Sequence, residues 1–151
     1  MNSPDLARRL DNLIRLGTIA AVDHTQALCR VQSGGLLTAW LPWFARRAGE
    51  TRTWCPPTIG EQVMVFCPSG EPAAGLVLAG LYTAERDQPS GNPSEHLTVF
   101  PDGARERYDH AGHDYLLEVP APGKITIQCG ASRIEIDNDG VRVMAPRIDL
   151  N

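Results

Sequence analysis

At 151 residues the chain has room for one ordinary domain, or for a small domain with an appendage whose core depends on other chains. Its 42% content of apolar residues is close to the globular norm, and its formal net charge of −4 offers no positive surface for wrapping nucleic acid. The composition therefore argues against a DNA-binding protein. The N-terminal stretch lacks the apolar core of a secretory signal, so we expect the chain to be made and folded in a cytoplasm.

The first 17 residues predict a short amphipathic helix. The letters SPD at residues 3–5 are typical of a helix start, and Gly17 is typical of a helix end, which predicts a helix over residues 4–16. A helix of about 13 residues is marginal in isolation, so its apolar face must pack on the chain's own barrel or on a partner. That face contains Leu6, Leu10 and Leu13.

Residues 18–83 predict a small closed barrel. Three strand-like runs, "GTIAAVD", "ALCRVQS" and "LLTAWLPWF", are separated by turns and form a meander. After a long polar loop, "EQVMVFCP" and "AGLVLAGLY" follow on either side of a further turn. Five short strands with one long loop are typical of a barrel of the oligonucleotide/oligosaccharide-binding (OB) type.

Residues 84–95, "AERDQPSGNPSE", predict a linker. The segment contains two prolines, a glycine and two serines, and it has hardly any apolar residue with which to build a core. We therefore expect a domain boundary here.

Residues 96–151 predict short β-strands with one apolar and one polar face, because the two residue types alternate with period two. Each strand offers only two or three apolar side chains, too few for a self-sufficient core, and the edge strands would lie open. Three copies wound round one axis would solve both difficulties. We place Glu135 on the outer face, where we expect its removal to matter little. The predicted trimer core contains Ile125, Ile127, Ile134, Ile136, Val141, Val143, Ile148 and Leu150.

The predicted fold class is thus mainly β. A short N-terminal helix and an OB-fold barrel are followed by a C-terminal triple-stranded intertwined β-helix or β-prism, which is formed by a homotrimer.

Three stretches together resemble the baseplate assembly protein V family, the central spike of contractile phage tails, which is related to the spikes of type VI secretion and of phage-like bacteriocins. They are "RLGTIAAVD", "LPWFARRAGETRTWCPPTIGEQVMVFCPSGEPAAGLVLAGLY" and "VFPDGARERYDHAGHDYLLEV". The resemblance covers essentially the whole chain. The middle stretch is the most specific, because the order Trp54, Pro56, Pro57, Gly60 and Glu61 recurs in the family.

The resemblance implies a mechanical role. A trimer would sit with its OB-type domains on the baseplate hub at the end of the tail tube, and its stalk would pierce the target outer membrane when the sheath contracts. The implied location is the virion tail baseplate, after assembly in the host cytoplasm. The implied partners are hub and tail-tube end proteins. For the tip two alternatives stay open: the chain is cut short of a native apex, or a separate PAAR-like tip protein caps its trimeric end. A bacteriocin or another contractile injection system remains an alternative. We expect the hub or partner interface to use Leu6, Leu10, Leu13, Trp43 and Trp54.

No cofactor is expected. Some relatives carry a His-x-His pair near the C-terminus that binds iron at the spike apex, whereas the last histidine of this sequence is His113. His110 and His113 lie in "DHAGHD" and are acceptable ligands for a transition metal. We interpret this stretch as a polar turn between two strands.

The sequence does not predict an enzyme, because it contains no nucleophile elbow, phosphate-binding glycine loop or metalloprotease motif. An alternative of a different class is an OB-fold module that binds nucleic acid or saccharide through stacking aromatics and cations. We favour a protein-facing loop and no nucleic-acid partner, since aromatic residues and arginine also form the cores of protein interfaces. The residues concerned are Trp40, Trp43, Phe44, Arg46, Arg47, Arg52 and Trp54.

Overall fold

The structure, a computed structural model, describes residues 3–150. Residues 1, 2 and 151 lie outside the described residues. The predicted helical segment 1–17 begins, and the predicted stalk 96–151 ends, at these residues. The chain divides into two units between Asp87 and Gln88, a boundary that lies inside the predicted linker. The first strand of the C-terminal unit begins at Glu95, the last residue of that linker.

The N-terminal helix is shorter than the sequence predicts. Helix α1 is Ser3–Asp11 and strand β1 is Ile14–Asp23, so the prediction of a helix to residue 16 is wrong. Backbone pairing outweighs the helical pattern here, because the Cys67 N–H donates to the Leu13 carbonyl at 2.8 Å and the following residues join the sheet. In the same way, Gly17 is an interior residue of β1 rather than the end of a helix.

Six strands form the barrel of the N-terminal unit. They are β1, β2 (Leu28–Ser33), β3 (Leu36–Leu37), β4 (Leu41–Pro42), β5 (Gln62–Phe66) and β6 (Leu76–Ala79), with two 3₁₀ turns between β5 and β6 at Pro68–Gly70 and Pro72–Ala74. The predicted third strand is split into β3 and β4. The side chain of Thr38 fills the break, and its hydroxyl accepts a hydrogen bond from the Val31 N–H at 2.9 Å.

The strands close into a ring in the order β1, β2, β4, β6 and β5. Antiparallel pairs join β1 to β2 and β5, β2 to β4, and β5 to β6. The ring is completed just after β4, where Trp43 bridges Val77 of β6 and the Phe44 N–H donates to the Val77 carbonyl at 2.9 Å. A closed five-stranded ring of this kind leaves a narrow interior that side chains fill completely.

The barrel interior is the hydrophobic core of the N-terminal unit. Medium-sized side chains fill it, as expected for a small ring, and all are at most 2% exposed. They are Ile19, Cys29, Val31, Leu41, Val63, Val65, Cys67 and Val77. This unit therefore has a conventional core of its own.

The C-terminal unit consists of two three-stranded antiparallel meanders. The first contains β7 (Glu95–Val99), β8 (Arg105–Asp109) and β9 (Asp114–Glu118), and the second contains β10 (Lys124–Cys129), β11 (Ser132–Asp137) and β12 (Gly140–Met144). The alternating pattern also predicts a last strand at residues 147–151, "RIDLN", but residues 147–150 form no strand, because no neighbouring segment of the described chain pairs with this stretch. Its apolar side chains Ile148 and Leu150 are exposed.

Over residues 3–150, no helix has the length and apolar character required to cross a membrane.

Gly17 marks the closest approach of β1 to β2, and we predict that Gly17→Ala destabilises the barrel. A Cβ at this position would lie 2.5 Å from Val31 Cγ1 and 2.6 Å from the Gln32 carbonyl oxygen, so the strands must separate to accept it. We expect a loss of about 1–3 kcal/mol in the free energy of unfolding. Urea unfolding followed by tryptophan fluorescence measures this loss, since all three tryptophans lie in the barrel unit.

The matched control for that experiment is Gly35→Ala, where nothing lies within 4 Å of the added methyl group. Equal midpoints for the two variants would contradict the close contact at Gly17.

Candidate interaction surfaces

The β10–β12 sheet has an apolar face that no part of the described chain covers. Register places Ile125, Ile136 and Val141 side by side in one row and Ile127, Ile134 and Val143 in the next. Five of these six side chains are 39–64% exposed, and Ile125 is partly buried. We call these six residues the isoleucine face. The alternation in the sequence correctly placed them on one side, but Ile148 and Leu150 lie outside the sheet.

The opposite face of this sheet is charged and more buried than the isoleucine face. Glu135 is only 9% exposed, because cations from all three strands surround its carboxylate. The distances to Glu135 are 3.4 Å from Arg133 Nε, 3.6 Å from Arg142 Nε and 3.7 Å from Lys124 Nζ. The sequence predicts that loss of Glu135 has little effect on trimer formation, and that stays a prediction. Glu135 lies on the predicted side, but it is the centre of an ion cluster.

A second carboxylate reinforces this cluster at the β11–β12 turn. Asp137 accepts a hydrogen bond from the Asp139 N–H at 3.0 Å and pairs with Arg142. The backbone hydrogen bond, together with the adjacent guanidinium, lowers the pKa of Asp137 below its usual value. The charged side chains of this face thus have partners, whereas the apolar side chains of the other face do not.

The β7–β9 sheet has mixed faces. Tyr108 and Tyr115 lie opposite each other with ring centroids 6.3 Å apart, and the Tyr115 hydroxyl hydrogen-bonds the Glu106 carboxylate, which raises the pKa of Tyr115. On the other face, Arg107 pairs with Asp114, and its Nε is buried without a hydrogen-bond partner in the described chain. In folded proteins, buried polar atoms of this kind usually have a hydrogen-bond partner.

His110 and His113 lie in the turn between β8 and β9, and both are exposed. The turn is held by Asp109, whose Oδ1 accepts hydrogen bonds from the Ala111 and Gly112 N–H groups at 2.9 and 3.2 Å. These backbone bonds lower the pKa of Asp109. Over residues 3–150, no three or more Cys, His, Asp or Glu side chains are grouped so that they could hold a metal ion. The geometry is that of a carboxylate-capped turn.

The long polar loop of the barrel forms a groove lined by aromatic residues. The Trp43 and Trp54 rings lie 5.8 Å apart at an angle of 53°, and Arg47 and Arg52 line the same groove, whose volume is about 600 Å³. Two hydrogen bonds between Arg47 and Thr53 hold the loop: the Thr53 N–H donates to the Arg47 carbonyl, and the Arg47 N–H donates to the Thr53 hydroxyl, each at 3.0 Å. Within the described part of the chain, neither of these arginines makes an ion pair. We call this site the tryptophan groove.

Two leucines of helix α1 and one just after it are exposed to solvent. Leu6, Leu10 and Leu13 are 39–57% exposed, and we call them the leucine ridge. The helix is held on the turn at Pro68–Gly70, where a Cβ on Gly70 would lie 2.3 Å from the Arg9 carbonyl oxygen. The predicted interface residues therefore form two separate features of the barrel unit, the leucine ridge and the tryptophan groove.

A third apolar surface of the barrel unit escaped the sequence analysis. On the outside of β1, β5 and β6, register forms one row of Ile14, Phe66 and Leu76 and a second row of Leu16, Met64 and Leu78. We call these six residues the outer barrel patch. Residues 63–66 and 76–79 are apolar at every position, and unbroken apolar runs are typical of strands buried on both faces. That signal was present in the sequence.

Comparison with known proteins assigns a family to the barrel. Residues 15–82 match the family described as the type VI secretion system/phage-baseplate injector OB domain. The chain is also 43% identical over 108 residues to the spike protein of Escherichia phage P2, a match that covers 72% of this chain and 51% of that protein. The chain thus spans about half the length of the curated relative it matches.

The ion cluster generates a prediction for Glu135→Ala. Removing the carboxylate leaves three cations facing one another on one sheet, so we expect a loss of about 1 kcal/mol, small because the cations are half-exposed. Thermal unfolding followed by circular dichroism measures the loss at two ionic strengths. The difference from the parent is expected to shrink in 1 M salt, which screens the repulsion.

Glu118→Ala is the matched control, because Glu118 pairs only with Arg105 at an exposed site. A Glu135→Ala variant that unfolds with the parent at low salt would refute the importance of the cluster.

Proposed function

This chain belongs to the baseplate spike family, and on that premise we propose that it is the trimeric central spike of a contractile phage tail, which pierces the target cell outer membrane when the sheath contracts. The OB-domain match and the identity to a phage spike protein support this proposal. It is a structural protein rather than an enzyme.

One observation carries the proposal beyond the family: the isoleucine face. A sheet with a charged face fully paired within the chain and an apolar face left open is half of a two-layer structure. Large contiguous apolar surfaces are rare on soluble monomers and mark places where another molecule packs. The missing layer is therefore supplied by other chains.

Three copies of the same sheet complete the structure. When three isoleucine faces turn toward one axis, each apolar row meets two others, and the open edges β10 and β12 can pair with neighbouring chains. Ile148 and Leu150 continue this apolar core beyond the sheet. The Glu135 cluster then lies on the outside, where each charge already has a partner.

Such a stalk suits a piercing element. Its strands can separate only if many backbone pairs and the shared apolar core are lost together, which makes unfolding under axial load slow. We propose no apex iron and no other cofactor. His110 and His113, the two candidate ligands, lie in the turn that Asp109 caps.

The barrel unit seats the spike in the baseplate. We propose that the tryptophan groove binds the hub or the tail-tube end protein, because paired aromatic rings beside unpaired arginines are the composition of interface hot spots. The leucine ridge is a second contact surface of the barrel unit and is open to another chain. A PAAR-like protein caps the distal end. Assembly takes place in the host cytoplasm, and the final location is the virion tail baseplate.

The same architecture also serves a bacteriocin or another contractile injection system, since the OB-domain family includes type VI secretion as well as phage baseplates. The trimeric stalk and the seat on a hub are common to these alternatives.

The trimer generates a prediction for Ile136→Lys. Three lysines would be buried without partners at the axis, so we expect the assembly to dissociate or to fail to form. Light scattering of the full chain is expected to give three times the 16.4 kDa chain mass for the parent and the single-chain mass for the variant.

Thr126→Lys is the matched control, because it places the same side chain on the charged face of the same sheet, opposite Glu135. This variant is expected to remain trimeric. A monomeric parent would refute the proposal, and equal masses for the two variants would show that the isoleucine face is not the core.

A nucleic-acid-binding OB module is the competing function, favoured by the aromatic and basic lining of the tryptophan groove. We predict no binding of a single-stranded oligodeoxythymidine at physiological salt, because neither the loop nor the chain, at net charge −4, provides a continuous basic channel. Fluorescence anisotropy over a salt series tests this. Tight binding that is lost in Trp43→Ala and Arg47→Glu would replace our proposal for the groove.

A further inference from the structure

The outer barrel patch is an apolar surface without a function so far. Four of its six side chains, Ile14, Leu16, Leu76 and Leu78, are 37–56% exposed, while Met64 and Phe66 between them are partly buried. The ring of Phe44 extends the patch, since it packs edge-on against Phe66 with centroids 6.4 Å apart. None of these side chains is charged or able to form a strong hydrogen bond.

Two of the strands that form this patch, β5 and β6, point their other side chains into the barrel core. Val63, Val65 and Val77 alternate with the patch residues and fill the barrel core. Strands β5 and β6 are therefore apolar on both faces, a pattern that occurs where a second layer covers the outside. The usual covering element is an amphipathic helix.

Residues 3–150 contain one such helix, α1, but it does not cover the patch of its own chain. Close contact between Gly70 and the backbone of Arg9 holds α1 on the turn at Pro68–Gly70, and the leucine ridge stays exposed there. An uncovered sheet and an uncovered helix ridge thus coexist in the same barrel unit. Each has the shape and polarity that the other requires.

The charges on α1 do not oppose such a contact. Asp5 pairs with Arg8 at 2.9 Å and with Arg9 at 3.1 Å, so each of the two basic side chains beside the ridge already has an ionic partner within the helix. Hydrogen bonding to Arg8 lowers the pKa of Asp5, which keeps this carboxylate ionised near neutral pH. The ridge and the patch can therefore meet without leaving an unpaired charge between them.

We propose that α1 of one copy of the chain packs its leucine ridge across the outer barrel patch of a neighbouring copy. The contact joins two different surfaces, and around a threefold axis it repeats from copy to copy and closes into a ring. This inference rests on the proposed trimer, whose stalk keeps three barrels near one another at high effective concentration. The barrels thereby form a collar with its own interface, separate from the isoleucine face.

The outer barrel patch and the tryptophan groove suit different binding partners. The groove offers unpaired guanidinium groups that can recognise a different protein, whereas the patch offers only apolar contact. Permanent interfaces between copies of one chain resemble a domain core cut in half and are more apolar than reversible ones. A second copy is thus the occupant that the patch favours.

Mixed cross-linking of the full chain tests the contact. Two differently tagged chains are co-expressed, one carrying Leu10→Cys on the ridge and the other Leu78→Cys in the patch. Both carry Cys55→Ser and Cys129→Ser, because these two cysteines are exposed whereas Cys29 and Cys67 are buried. A short bis-maleimide is expected to join chains with different tags about ten-fold more than in the control, given the effective concentration within one trimer.

The control pairs Leu10→Cys with Ala20→Cys, an exposed position farther along β1 and outside the patch. Light scattering of the same samples separates this inference from the proposed function. Particles of trimer mass that link Leu10 to Leu78 support the contact. Trimers without that link, or with links only between two Leu78 positions, overturn it and leave the spike intact. Particles of single-chain mass overturn both.

A second pair of variants guards against local misfolding. Leu6→Lys, built into the chain that carries Leu10→Cys, and Leu16→Lys, built into the chain that carries Leu78→Cys, change opposite sides of the proposed contact. Each is expected to reduce the cross-linked fraction to the control level. Tryptophan fluorescence monitors the barrel in each sample. If either variant retains full cross-linking with a folded barrel, the contact is not between ridge and patch.

Discussion

A β-sheet has two faces, and a chain that provides only one layer must leave one of them open. This constraint governs the β10–β12 sheet, where Lys124, Arg133 and Arg142 close over Glu135 and leave the isoleucines exposed. The usual arrangement, with charge outside and apolar residues inside, is reversed within the isolated chain. If other copies supply the second layer, the isoleucines become buried and the charged residues lie on the outside, as in most proteins.

From the sequence it was possible to predict most features that depend on one strand at a time, such as which side chains share a face. Alternation along β10–β12 correctly grouped Ile125 to Val143 on one side, and the spacing of strands and the long loop correctly indicated the OB barrel, which the family match confirms. Register between strands could not be predicted in this way. The burial of Glu135 depends on cations contributed by three strands, and no spacing within one strand encodes their meeting.

The errors have related causes. Gly17 fits a helix end by local preference, but the approach of β2 requires a residue without a side chain at that point of β1. Ile14 and Leu16 continue a helical stripe in the sequence, yet they pair with β5 and become part of the outer barrel patch. Some segments have an apolar pattern that fits both a helix and a strand. Pairing with distant strands then determines their structure, and the local sequence does not show that pairing.

The two-faced character of the β10–β12 sheet also limits how far the chain can associate. A sheet that is apolar on both sides can stack on further copies without end, which is the geometry of fibrils. In the trimer that we propose, the ion cluster would close the outer side with charges that already have partners, so a further copy would gain nothing by stacking there. Glu135 and its cations would thereby limit the assembly to three chains.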